Sequence, residues 1–352
     1  SASWKKSFFG ADRFRKKEKN IKKIVSLLRD FQIISIVGNA KNAGKTTVMN
    51  SYLTYVNETI AITSIGLDGE EIDQVTFMNK PQIYVKPGYI IATAEDTLKN
   101  FTCEYEVIKR TKLSTSIGMV VIVEVKSIGK VLVAGPAKVS DMEILITELK
   151  QLPISKIIID GAFSRHVFAR LSQATLLVIG ANKSRDMNIV VNSSRLLVQK
   201  FKLSNSPYKD ICFGEKITFI DKGNNQREWE YSSIIGKVHD FFNEPFNDIK
   251  AVYFPKALTN SFVEKLIRER NKYKFDIILD SPTSVQINDN LLEKILKLDN
   301  MLYVVNPINL VAVFYNPYSP AGYEFNDKDF KRSLREATKY DVVNVLKDGI
   351  YE

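Results

Sequence analysis

Short apolar runs alternate with segments of helical periodicity along most of the chain, the rhythm of a largely parallel sheet covered by helices. The pattern predicts strands over 33–37, 61–67, 130–134, 156–159, 175–179 and 217–220, and again over 251–254, 275–279, 302–305 and 312–315. Helices are expected over 48–57, 258–271, 288–298 and 327–337, where apolar positions recur every three to four residues. Between the second and third strands the rhythm changes. Gln82-Ile83-Tyr84-Val85, Lys86-Pro87-Gly88 and Tyr89-Ile90-Ile91-Ala92 predict one hairpin. Met119 to Val125, Ser127-Ile128-Gly129 and Val131 to Ala134 predict another. Residues 75–130 are therefore expected to be a β-rich insertion in the first unit.

The polar stretches 222–227 and 243–248 have the composition of loops or linkers, which places a boundary near residue 245. The expected organisation is a basic N-terminal arm over 1–30, a first α/β unit over 31–245 and a C-terminal α/β unit over 246–352. A chain of 352 residues with 45% hydrophobic content is long enough for two such units.

Charge changes this picture at one place. Of the net +10, the first thirty residues contribute seven: ten lysines and arginines stand there against Asp12, Glu18 and Asp30. Ile21, Ile24, Val25 and Leu28 follow the i, i+3, i+4, i+7 spacing of a helix stripe, so this arm is expected to pack partly on the body with its lysines in water. A phosphate-rich or acidic protein partner is the competing use of such charge. No nucleic-acid-binding module accompanies it, so a nucleic-acid role is not expected. Cys103 and Cys212 alone exclude a disulfide framework and a four-cysteine metal site, and a reducing cytoplasm fits them. The apolar stretch Met301 to Tyr315 is broken by Asn306, Pro307 and Asn309, and the opening residues lack the apolar centre of a secretory signal. A soluble, cytoplasmic protein is the expectation.

The most informative residues are Gly38-Asn39-Ala40-Lys41-Asn42-Ala43-Gly44-Lys45-Thr46-Thr47, directly after the apolar run Phe31 to Val37. A glycine-bounded loop between a strand and a helix surrounds phosphate oxygens with backbone N–H groups at the positive end of the helix, and its lysine reaches the outer phosphates. In this reading Lys45 holds phosphate and Thr46 places its hydroxyl on Mg²⁺. Five residues separate Gly38 from Gly44 where the usual spacing has four, so either the loop is one residue wider or Asn39 takes the first-glycine position.

Mg²⁺ in such a site needs a carboxylate at the end of a neighbouring strand, and Lys156-Ile157-Ile158-Ile159-Asp160 supplies Asp160, with Gly161 after it. Asp68, Glu70, Glu71 and Asp73 follow the strand predicted over 61–67, where a switch segment would lie; Asp68 is the second candidate for metal or water, and an ordinary solvated turn is the other reading. Arg165 is a further candidate for phosphate. Asn182-Lys183-Ser184-Arg185-Asp186 resembles the Asn-Lys-x-Asp element with which GTPases read guanine, but Arg185 stands where the aspartate belongs. The displaced carboxylate favours ATP over GTP. His166 and His239 are the only histidines, and neither has partners at informative spacing for nucleophilic or metal chemistry.

Taken together, residues 40–47, Ser64 to Glu70, Gly88 to Ala94 and Ile159 to Ala162 resemble the P-loop subunit of the lysine 5,6-aminomutase reactivase, more faintly through Asn306-Pro307 and Asn316 to Tyr323. The Lys-Asn-Ala-Gly-Lys-Thr loop is also similar to that of proteins of molybdopterin guanine dinucleotide biosynthesis. The resemblance implies a P-loop NTPase fold and use of ATP and Mg²⁺ to restore an adenosylcobalamin-dependent aminomutase by releasing damaged cobalamin, together with a second reactivase subunit. The alternatives are a self-contained ATP-dependent kinase or ligase of the dethiobiotin-synthetase type and a nucleotide-gated chaperone for another metalloenzyme.

Overall fold

The computed structural model describes residues 22–65, 82–161, 171–209, 211–298 and 302–345. It is an α/β protein in two compact units, the first from the described parts of 1–164, 171–191 and 310–352, the second from those of 192–309.

The first unit is built on a nine-stranded sheet. Its order is Val343–Asn344, Leu310–Asn316, Ala174–Gly180, Ile33–Gly38, Lys156–Asp160, Ile60–Ser64, Ile90–Ala94, Gly118–Val125 and Tyr105–Thr115. The first seven strands run parallel and the last two are antiparallel additions. Strands Ile60–Ser64, Ile90–Ala94 and Ala174–Gly180 are buried at every position, as a parallel sheet covered on both faces requires. Helix Lys45–Tyr55 turns Val48, Met49, Tyr52 and Leu53 into the same core as Ile34, Ile36 and Ile62.

Two pairings differ from the predicted hairpins. Ile83–Val85 pairs with Gly129–Val131, not with Ile90–Ala94, which instead lies parallel to Ile60–Ser64. Gly118–Val125 pairs with the highly charged strand Tyr105–Thr115, which the apolar pattern does not mark. The β-rich residues are thus mostly a continuation of the main sheet. The boundary near 245 is also corrected: Leu310–Asn316 returns to the first sheet beside Ala174–Gly180, so the second unit lies within the first in sequence.

Residues 22–27 form a helical segment of the basic arm, with Ile24 and Leu28 buried and Lys22 and Lys23 exposed, as the stripe predicts. Its end is fixed by Lys156, whose side chain is 3% exposed. The Lys156 ammonium donates to the carbonyls of Leu28, Arg29 and Phe31 at 2.9, 2.8 and 3.0 Å, with Glu58 at 3.6 Å. These carbonyls follow the last helical turn, where acceptors lack partners within the helix.

The second unit has a six-stranded sheet in the order Ser204–Asn205, Leu302–Val304, Asp276–Leu279, Ile249–Phe254, Thr218–Asp221 and Gln226–Glu228, the first four parallel. Its core is aromatic: Phe241 meets Phe219 at 5.4 Å and Phe262 at 5.3 Å between ring centres. Thr259 and Asn288 cap helices Asn260–Arg268 and Asp289–Leu296 by accepting from Phe262 and Leu291 N–H groups.

Lys200, on helix Met187–Phe201, is buried and donates to the Val285 carbonyl at 2.6 Å. Burial pushes its ammonium down to about 8, partly offset by Asp289. Between pH 8 and roughly 10.5 the unfolded chain retains a proton that the folded chain has lost, so stability attributable to this group rises with pH across that window. Relative to Lys200→Met, wild type is expected to gain up to about 3 kcal/mol there in urea unfolding. Tyr52 and Tyr208, raised by burial, act in the opposite sense in alkali and cancel in the comparison. A flat difference between pH 8 and 10.5 would contradict the assignment.

Candidate functional site

The loop from Gly38 to Thr47 leaves the carboxyl end of a central parallel strand. Ile33–Gly38 has Lys156–Asp160 on one side and Ala174–Gly180 on the other. This is the edge where ligands bind in open α/β sheets. Helix Lys45–Tyr55 begins at once, with Gly44 as its N-cap at φ 107° and the Val48 N–H bonded to the Gly44 carbonyl at 3.1 Å. A side chain is strained in that left-handed conformation, which glycine adopts freely. Asn42 is also left-handed, at φ 60°.

The loop is tied down from the neighbouring strand. The Asn39 N–H donates to the Val178 carbonyl at 3.0 Å, and its side-chain oxygen accepts from the Gly180 N–H at 2.8 Å. The Asn182 side-chain amide donates to the Lys41 carbonyl. Ala43 is fully buried against Gly180, where an added Cβ would come within 2.8 Å of the Ala43 Cα. Gly38 lies under Lys45: a Cβ there would stand 3.2 Å from the Lys45 Cγ. Behind the helix start, Asn316 and Val345 approach Gly44, and Tyr315 and Asn344 both donate to Asp327.

Lys45, Thr46 and Thr47 are partly exposed at the head of the helix, and Lys45 makes no ion pair among the described residues. Asp160 ends its strand in register with Ile36, two residues before Gly38, and is half-buried. The backbone around it is fixed by Ile65 N–H to Asp160 carbonyl at 2.8 Å and Gly161 N–H to Ile36 carbonyl at 3.1 Å. The sequence candidates Lys45, Thr46 and Asp160 are therefore brought to one sheet edge. Asp68, Glu70, Glu71, Asp73 and Arg165 lie outside the described residues.

Among the described residues no group of three or more His, Cys, Asp or Glu side chains could hold a metal by itself. Mg²⁺ takes one or two protein oxygens and completes its octahedron with phosphate and water. Thr46 and Asp160 have the right chemistry for this.

In the segment that resembles the guanine-reading element, Asp186 accepts from the Asn188 N–H at 2.8 Å at the start of helix Met187–Phe201. The displaced carboxylate is a helix cap. Arg185 lies 5.6 Å over the ring of Tyr323, whose hydroxyl donates to the Ala181 carbonyl at 2.8 Å. Gly180 and the Asn182 contact were not singled out from sequence as supports of the loop; their signal was a glycine and a small amide directly after an apolar strand. No family model, curated protein or solved structure matches this chain.

Proposed function

We propose that the chain is a P-loop nucleoside triphosphatase that prefers ATP, and that it acts as the ATP-dependent reactivating factor of an adenosylcobalamin-dependent lysine 5,6-aminomutase. The observation that carries the triphosphatase reading is the seating of Gly38–Thr47 between a central parallel strand and a helix, with Asp160 at the end of the adjacent strand. The client and the companion subunit rest on the sequence resemblance.

In this reading the N–H groups of Gly44, Lys45 and Thr46 point at phosphate oxygens from the positive end of the helix. Lys45 neutralises the outer phosphates and Thr46 supplies one metal oxygen. Asp160, at the end of the next strand, would help to hold the Mg²⁺, while the bonds of Asn39 and Asn182 hold the loop in shape beforehand. When bound, Mg²⁺ would supply charge neutralisation at the phosphates. The capping role of Asp186 supports ATP over GTP, because its Oδ1 is directed to the Asn188 N–H at the start of a helix. Nucleotide turnover then biases the protein between conformers of different affinity for the mutase.

The test is Mg²⁺-dependent ATP and GTP hydrolysis by the chain alone, then with the companion subunit and cobalamin-inactivated mutase. ATP turnover stimulated by the mutase, with recovery of mutase activity, is expected. Turnover indifferent to the mutase would transfer the reading to another client or to a small-molecule kinase or ligase.

A further inference from the structure

The second unit contains a groove of about 490 Å³ that the triphosphatase reading does not use. Four cations from separate segments converge on it: Lys250 at the start of strand Ile249–Phe254, Arg270 and Lys274 in the turn after helix Asn260–Arg268, and Lys297 closing helix Asp289–Leu296. Among the described residues the one carboxylate in its lining is Asp276, which accepts from the Tyr208 hydroxyl at 2.9 Å and pairs with none of the four.

Some other surface cations of this unit have carboxylate partners. Lys216 pairs with Glu228, Lys222 with Asp248, Arg227 with Glu244 and Lys237 with Asp240. Arg270 and Lys274 have no carboxylate within ion-pair distance among the described residues, and Lys250 bonds the side chain of Asn224 while helping to lower the Asp221 carboxyl. Only Lys297 is paired, with Glu293 at 3.4 Å. Cations beyond helix ends commonly offset the helix dipole. That accounts for Lys297 and in part for Arg270, but not for Lys250 and Lys274, which flank strands. A concave site lined by one sign of charge concentrates counter-ions.

We propose that this groove binds a small anion carrying two or more phosphate groups. Its volume falls within the range of small-molecule sites, and among the described residues its four cations, one of them paired with Glu293, outnumber the carboxylate of Asp276, a surplus of positive charge that suits a di- or triphosphate. An arginine fork and flexible lysines are the usual pairing for such a group. The groove belongs to the second unit and the phosphate loop to the first, so the proposal stands or falls independently of the triphosphatase reading.

The experiment is calorimetric titration of inorganic tripolyphosphate into the full chain carrying Lys45→Ala, which disables the phosphate loop. Saturable binding at one equivalent is expected, weakened at least about tenfold by adding Arg270→Ala and Lys274→Ala and retained with Arg270→Lys and Lys274→Arg. Tricarballylate should bind at least about tenfold more weakly than tripolyphosphate, given its lower charge. ATP binding more tightly than tripolyphosphate would identify a nucleoside phosphate as the source, and equal affinity a free polyphosphate. Absence of saturable binding, indifference to the alanine pair, or equal affinity for tricarballylate would overturn the proposal.

Discussion

Lys45→Ala is expected to weaken Mg²⁺·ATP binding by roughly 30- to 140-fold, about 2–3 kcal/mol, the range for hydrogen bonds to charged groups. The side chain heads helix Lys45–Tyr55 and is only partly buried, while the core contacts of that helix are made by Val48, Met49, Tyr52 and Leu53. Removing the ammonium should therefore leave the fold in place. Alanine is also a good helix former, so the first turn should not suffer. Equilibrium titration of both proteins, with thermal unfolding as control, checks this. Unchanged affinity would remove Lys45 from any phosphate-binding role.

Lys156→Met is expected to cost about 3–5 kcal/mol of stability, the range for breaking a buried charged network by removing one partner. Methionine matches the length of lysine and fills the space, so the loss isolates the ammonium. The carbonyls of Leu28, Arg29 and Phe31 would lose their common donor and Glu58 its cation. These carbonyls lie where the N-terminal helical segment enters the central strand, so amide exchange over residues 22–31 should rise as well. Urea unfolding measures the first effect; a change below about 1 kcal/mol would mean that water replaces the lysine at little cost.

The strands closest to the site were legible because they are continuous apolar runs, the signature of a parallel strand buried on both faces. Ile33–Gly38, Lys156–Asp160 and Ala174–Gly180 all match their predicted positions to within one residue. The edge strand Tyr105–Thr115 was not legible. It carries Glu106, Lys109, Arg110 and Lys112, exposed side chains of the kind that protect sheet edges, and its pairing is interrupted by two register shifts. Strand partners were also hidden, since the pairing of Ile83–Val85 with Gly129–Val131 spans more than forty residues and leaves no local pattern.

The division of the chain was misplaced for a similar reason. Residues 243–248 have linker composition, yet Phe246 packs on Phe241 and Phe275 inside the second unit. The return of Leu310–Asn316 to the first sheet is a long-range pairing. The motif itself points to Lys45 and Thr46, and the apolar run Ile157-Ile158-Ile159 points to Asp160 as candidates. The supports from Gly180, Asn182 and Asn316 depend on strands meeting side by side, which spacing along the chain does not express.

The central claim is that a triphosphate sits in the loop from Gly38 to Thr47. Amide hydrogen exchange of the wild-type chain with and without saturating Mg²⁺·ATP tests it most directly. Slower exchange is expected, concentrated at residues 39–47, whose N–H groups would face phosphate. Exchange there that is the same with and without Mg²⁺·ATP would contradict it.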